Sequence, residues 1–205
     1  MPKPLPKMTS VEKLCEIAGE GIHAHKWYRD ATAQINFVSD SMGWDRDRFA
    51  GVLATTSPRC SVLRNIRMSL HFMKYGDIRV VPMKGIRKSV TRFLSDGGIT
   101  GPKTKAFYHN LSGNFGWVTL DVWMAYALGI DQTKFGGRRV REKAVDRVVS
   151  VACDLRIAPA EAQAAIWTGF RTRAGYNHSP FSVVGEYLKA RDNNWEIEGC
   201  TIKEE

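Results

Sequence analysis

The sequence is poor in several features that would place it quickly. It has no run of about 18 or more apolar residues to serve as a membrane span, and no secretory leader is recognisable. Its four cysteines, Cys15, Cys60, Cys153 and Cys200, lie far apart and form no C-x-x-C pair, which argues against a zinc site and a disulfide framework alike. Stretches alternating apolar with polar residues are missing, as are internal repeats and low-complexity segments, so neither a sheet protein nor a solenoid is expected. Acidic residues fall short of basic ones, 21 against 30, leaving a net charge of +9 and an isoelectric point near 9.5. A surplus of this kind favours an anionic partner, most simply nucleic acid. Together these absences predict a soluble cytoplasmic protein with no metal or other cofactor, no membrane contact and no obligate protein partner.

What the chain does have is helical periodicity from end to end. Its length suits one domain, or one compact body of two lobes, and 43% hydrophobic residues supply a core. Residues 1–8 are rich in proline and lysine and read as a disordered basic tail. Residues 9–191 read as a single all-α domain, and residues 192–205 as a frayed C-terminal tail. Thr9 with Glu12 fits a capping box ahead of a first helix carrying Val11, Leu14 and Ala18 on one face. His23 and His25 precede a second helix with Trp27, Ala31, Ile35, Val38 and Met42 inward. Without a third ligand close in sequence, the pair reads as two surface histidines. Asp45 caps a third helix, and Ser57-Pro58 has the form of a helix start, a hydroxyl N-cap followed by proline. Later helices are expected from Pro82, from Val140 and from Pro159, and a last one from Ser179-Pro180 through Leu188. On the helix from Pro159, Trp167 reads as a packing residue.

The chemistry-bearing stretch is residues 97–130. Gly97-Gly98-Ile99-Thr100-Gly101 forms a glycine-rich turn, and Pro102 then supplies the fixed φ suited to a helix's first turn. Lys103, Thr104 and Lys105 follow. A second short helix begins near Asp121, eighteen residues beyond Lys103, with Thr119 as a candidate cap. Such a turn aims main-chain N–H groups and the positive end of a helix dipole at an anion such as a DNA phosphate. Lys84, Arg87, Lys88 and Arg92 line the helix leading into the turn, and Lys134-Phe135-Gly136-Gly137-Arg138-Arg139 is a basic glycine loop with the same potential.

In these residues the chain resembles the helix-hairpin-helix DNA glycosylases, especially the endonuclease III-like branch. The resemblance is carried by the glycine hairpin with Lys103 and by Phe115-Gly116-Trp117-Val118-Thr119-Leu120-Asp121. Ile99 stands where the family has its first glycine, and Trp123 where it often has a histidine after the aspartate. The Ser-Pro…Asn pattern at Ser57, Pro58 and Asn65 is similar to that of small bacteriophage members. The resemblance implies a two-lobed helical fold and duplex DNA as partner, in a bacterial or phage-infected cell close to the nucleoid. It also implies extrusion of a damaged or modified base and cleavage of its N-glycosidic bond. In it Lys103 takes the nucleophile's place, with lyase activity following, and Asp121 that of the catalytic carboxylate. If Lys103 binds phosphate instead, water is the nucleophile. DNA contact is expected from Gly98, Gly101, Thr104, Lys105, Lys84, Lys88, Arg138 and Arg139. Ser57, Arg59 and Asn65, with Thr55 and Thr56, are the candidates to fill the gap left by the base. Two other readings stay open: a noncatalytic helix-hairpin-helix clamp, expected if Asp121 is a buried cap facing away from the cleft, and a base-modifying transferase on the same scaffold.

Overall fold

The computed structural model describes residues 8–176 and 181–200. Residues 1–7 of the expected tail, Asn177, His178, the Ser179-Pro180 helix start and residues 201–205 lie outside them. Among the described residues every regular element is helical, and the protein is all-α. Ten α-helices follow one another: α1 (Val11–Glu20), α2 (Trp27–Met42), α3 (Arg46–Thr56), α4 (Val62–Tyr75), α5 (Lys84–Asp96), α6 (Pro102–Leu111), α7 (Val122–Ala127), α8 (Arg138–Leu155), α9 (Pro159–Arg173) and α10 (Val183–Asp192). Short 3-10 turns sit at Ile22–Ala24, Ile78–Val80 and Gln132–Gly136. The described residues divide into two compact units, one of residues 8–28 and 113–176, the other of residues 29–112 and 181–200.

In the first unit, α1, α7 and α8 pack on α9. Leu14, Ile17, Met124, Leu128, Val148, Val151 and Ile166 are shut off from solvent in one cluster. The start of α1 differs from the sequence expectation by one residue. Ser10, not Thr9, is the N-cap and accepts the Lys13 N–H. Thr9 is occupied elsewhere: its hydroxyl donates to the Ala127 carbonyl at 2.7 Å and its N–H to Leu128 at 2.9 Å, tying the chain to the end of α7. With Thr9 spent on that tie, the orphan N–H groups of α1 fall to the next hydroxyl.

In the second unit, α3 is the element around which α4, α5 and α6 pack. It is buried on every face from Phe49 to Thr56, which is what an all-round apolar sequence requires. Asp45 caps it through the Arg48 N–H, as its sequence predicts. The expected start at Ser57-Pro58 is corrected. Ser57 is the last residue of the α3 turn and donates its hydroxyl to the Ala54 carbonyl. Ser57 is still helical, at φ -67° and ψ -23°, but Pro58 has no N–H to continue the ladder, so it ends α3 instead of opening α4. The chain reverses with Arg59 in the left-handed region, φ 56°, and Ser61 caps α4 through the Arg64 N–H. The segment expected to fray after Asp192 packs as far as Cys200. Ile197 and Cys200 are buried, and Glu198 pairs with Arg67 of α4 at 2.8 Å.

Candidate nucleic-acid interface

Helix starts normally recruit a hydroxyl or carboxylate to satisfy their first N–H groups, and carry acidic residues against the dipole. α1, α3, α4 and α7 have a capping side chain. Three other helices have neither device. α5 opens with Lys84 behind an uncapping Met83; α6 opens with Pro102-Lys103 behind Gly101; α8 opens with Arg138-Arg139 behind Gly137. None of the three has an acidic residue in its first turn. Placing cations at the positive end of a dipole is unfavourable by a few tenths of a kcal/mol each unless an anion sits there as well. These starts are therefore suited to phosphate.

The hairpin between α5 and α6 belongs to the second unit, and both of its helices rest on α3. Gly97 ends α5 in the left-handed region at φ 70°, and Gly101, at φ 89°, is the residue from which α6 starts. Both positions favour glycine for that reason. The Gly98 N–H is not offered outward, because it donates to the Asp96 carboxylate at 2.8 Å. This narrows the anion-facing surface to the α6 start. There Lys103 is half-buried, Lys105 is exposed and Thr104 is turned inward, 9% exposed. On α5 only Val90 is buried, and Lys84, Lys88 and Arg92 are exposed. Arg87 is not a surface charge of the same kind: its guanidinium donates to the carbonyls of Val81 and Arg79 and fastens the chain ahead of the helix.

The residues expected to fill a vacated base position are mostly spent internally. Thr55 donates to Gly51, and the Thr56 hydroxyl lies 2.6 Å from Asn65 Oδ1 and 3.0 Å from Ser69 Oγ. Asn65 is 4% exposed and donates from Nδ2 to Leu53, so α3 and α4 are joined by a buried polar knot. Of this group only Arg59 is exposed. A cavity of about 490 Å³ in the same unit is lined by charges of both signs, Asp45 and Asp47 beside Arg46, with Thr32, Asn36 and Ser112. Burial, followed by the charges of Asp47 and Asp45, pushes the Tyr108 hydroxyl above its ordinary value.

In the first unit Arg138 and Arg139 are exposed, with Arg138 held to Glu142 at 2.7 Å. Arg141 donates to the Phe135 and Gly136 carbonyls and shapes the glycine loop. His25 turns its Nδ1 to the Ile22 carbonyl, and no group of three metal-binding side chains occurs among the described residues.

Asp121, also in the first unit, is itself the N-cap of α7, where Thr119 had been the candidate. Its Oδ1 accepts the Met124 N–H at 2.9 Å and its Oδ2 accepts the Trp167 indole N–H at 3.0 Å. Beside this pair Arg171 lies over the rings of Trp167, Trp123 and Tyr176, at 4.4, 4.9 and 5.9 Å. Sequence reasoning had Trp167 as packing and gave Arg171 no role. The signal was their spacing of four on α9, which stacks them on one helix face.

An all-helical protein with uncapped, basic helix starts is the class these features define. Residues 18–174 match the model of DUF7178, a family of unknown function, and the chain belongs to that family. No curated protein and no solved structure matches it.

Proposed function

We propose that this protein is a DNA glycosylase of helix-hairpin-helix type, binding duplex DNA by its phosphates and releasing one extruded base. The observation that supports it is the trio of uncapped basic helix starts, one of them the glycine hairpin that carries Lys103. In this reading α5, the Gly97–Gly101 turn and α6 are the helix-hairpin-helix of a two-lobed glycosylase fold. The base leaves the stack so that its sugar C1′ becomes accessible. The Lys103 amine forms a bond to C1′ as the C1′–N bond breaks, and the base departs with the electron pair and is protonated. The attached amine gives up a proton, its nitrogen lone pair forms C1′=N as the C1′–O4′ bond of the sugar ring breaks, and O4′ leaves with that electron pair and is protonated; strand cleavage can follow from this Schiff base. The resemblance gives Asp121 the part of the carboxylate that offsets positive charge growing on the sugar. The site of action is the cytoplasm of a bacterial or phage-infected cell, where the DNA is.

Borohydride trapping on a duplex with one abasic site tests this directly. A covalent complex is expected with the wild type and with Lys105→Gln, and none with Lys103→Gln. Trapping lost in Lys105→Gln but kept in Lys103→Gln would overturn the assignment of the nucleophile. Asp121→Asn should slow base release with little loss of affinity for DNA. A second reading, a noncatalytic clamp, is favoured by one observation: both oxygens of Asp121 already serve the cap of α7 and Trp167. Binding without trapping or base release would select it.

A further inference from the structure

Asp121 is held by two donors that arrive from different elements. The Met124 N–H belongs to the helix that Asp121 caps, and the Trp167 N–H belongs to α9, 46 residues further along the chain. A cap alone leaves a carboxylate free to rotate about its last bond. A second donor on the other oxygen fixes the plane of the group. An indole N–H is a donor only: it takes no proton from the carboxylate and accepts none from a substrate.

The second donor is held in turn. Arg171, one helical turn beyond Trp167, lies 4.4 Å over its ring. The guanidinium is also 4.9 Å from the Trp123 ring and 5.9 Å from Tyr176, while Trp123 and Tyr176 meet edge to face at 4.8 Å. Burial draws the Arg171 guanidinium below its ordinary value, and the negative charge of Asp121 opposes that shift. Taking a cation part of the way out of water among three rings is costly unless cation–π contacts and a nearby anion offset it. Here both are present. Trp123 contributes from α7, two residues after Asp121, so the box closes on the helix that Asp121 caps.

We propose that Trp167 and Arg171 are positioning residues for the Asp121 carboxylate: Trp167 fixes its plane, and Arg171 fixes Trp167 and balances the charge. The inference rests on the glycosylase reading for its catalytic half, because only there does the orientation of Asp121 govern a rate. Its geometric half stands on the first unit alone.

Two measurements on the full chain separate these halves. The first is indole N–H exchange by ¹⁵N NMR, with the Trp167 signal identified by its loss in Trp167→Phe. The Trp167 N–H is expected to exchange slowly in the wild type and at least about tenfold faster in Asp121→Ala, as for a hydrogen bond to a charged group. Equal exchange in the two overturns the proposal, whatever the activity. The second is single-turnover base release from duplexes carrying one uracil, hydroxymethyluracil, oxidised guanine or alkylated purine. On whichever duplex the wild type processes, Trp167→Phe is expected to lower the rate about tenfold or more with unchanged KM. Arg171→Met is expected to act in the same direction, and Arg171→Lys, which keeps the charge but not the planar stacking, to recover part of the loss. Arg171 supplies a variant outside the hydrogen bond should Trp167→Phe fold poorly. A protected indole with wild-type rates in both Trp167→Phe and Arg171→Met makes the contact structural and overturns the positioning role. No release by the wild type from any duplex overturns the glycosylase reading and the catalytic half with it, while the exchange result still decides the geometric half.

Discussion

Gly21 and Gly169 bring α1 and α9 together main chain to main chain. A Cβ on Gly21 would lie 2.1 Å from the Ala165 carbonyl oxygen, and one on Gly169 would lie 1.9 Å from that of Ile17. Backbone on both sides leaves nothing flexible to move. Gly169→Ala is therefore expected to lower stability by roughly 2–4 kcal/mol, as overpacking against a rigid neighbour does. Gly19, on the exposed side of α1, has nothing within 4 Å of such an atom. Gly19→Ala should instead be neutral or raise stability by up to about 1 kcal/mol, because alanine loses less entropy in a helix. Urea denaturation of the two variants checks both signs, and a destabilised Gly19→Ala would contradict this account of α1.

That close crossing shows what a sequence carries and what it does not. Helix positions were legible because Ala31, Ile35 and Val38, or Ala162, Ala165, Ile166 and Phe170, repeat at helical spacing, and all of these are buried. The hairpin was legible too, since the turn needs its glycines locally. The Ser57-Pro58 start was misread because a hydroxyl before a proline has two uses, and only the packing of α3 decides between them. Asp121 was singled out by its setting in the chain, but its partner was not. The Trp167 contact spans 46 residues, and nothing local to either residue marks it.

Arg67 of α4 joins Glu186 of α10 at 2.7 Å, and Lys189 reaches the other oxygen at 3.0 Å. Burial alone would raise the Glu186 carboxyl. The hydrogen bonds and charges of Arg67 and Lys189 outweigh it and leave the group below its ordinary 4.5. A depressed carboxyl stabilises the fold above its unfolded value and loses that contribution as pH falls through the folded one. Glu186→Gln should therefore cost about 1–2 kcal/mol at neutral pH, with the difference from wild type shrinking below about pH 4.5. Thermal melts at pH 7 and pH 3 measure it; a difference that grows in acid would reverse the sign assigned here.

The four thiols should separate by reactivity. Burial pushes Cys200 up to about 11 and raises Cys60, while burial and then Asp154 raise Cys15. Cys153 is exposed. Since the thiolate is the reacting species, an aromatic disulfide reagent at pH 7.5 should modify one thiol quickly in the folded protein and all four in denaturant. Protection of Cys153 by Cys153→Ser should remove the fast phase. A fast phase that survives would place a second reactive thiol among Cys15, Cys60 and Cys200, contrary to their raised values.

If the protein binds duplex DNA as proposed, its positive surface should make that binding depend on salt. Lys84 and Lys88 are exposed one turn apart on α5, at the first of the uncapped starts, whereas Arg87 between them is fastened to the carbonyls of Val81 and Arg79. Phosphate contacts release counterions, so log K for duplex DNA should fall linearly with log salt, by about 0.9 for each phosphate neutralised. Replacing Lys84 and Lys88 together by alanine should flatten that slope by roughly 2 and leave the melting temperature unchanged. Arg87→Ala should do the opposite, lowering the melting temperature through lost main-chain anchors and changing the slope little. Fluorescence anisotropy at several salt concentrations, beside thermal melts, separates the two effects. Binding that ignores salt would rule out phosphate contacts, and a slope that Lys84 and Lys88 do not affect would place them away from α5.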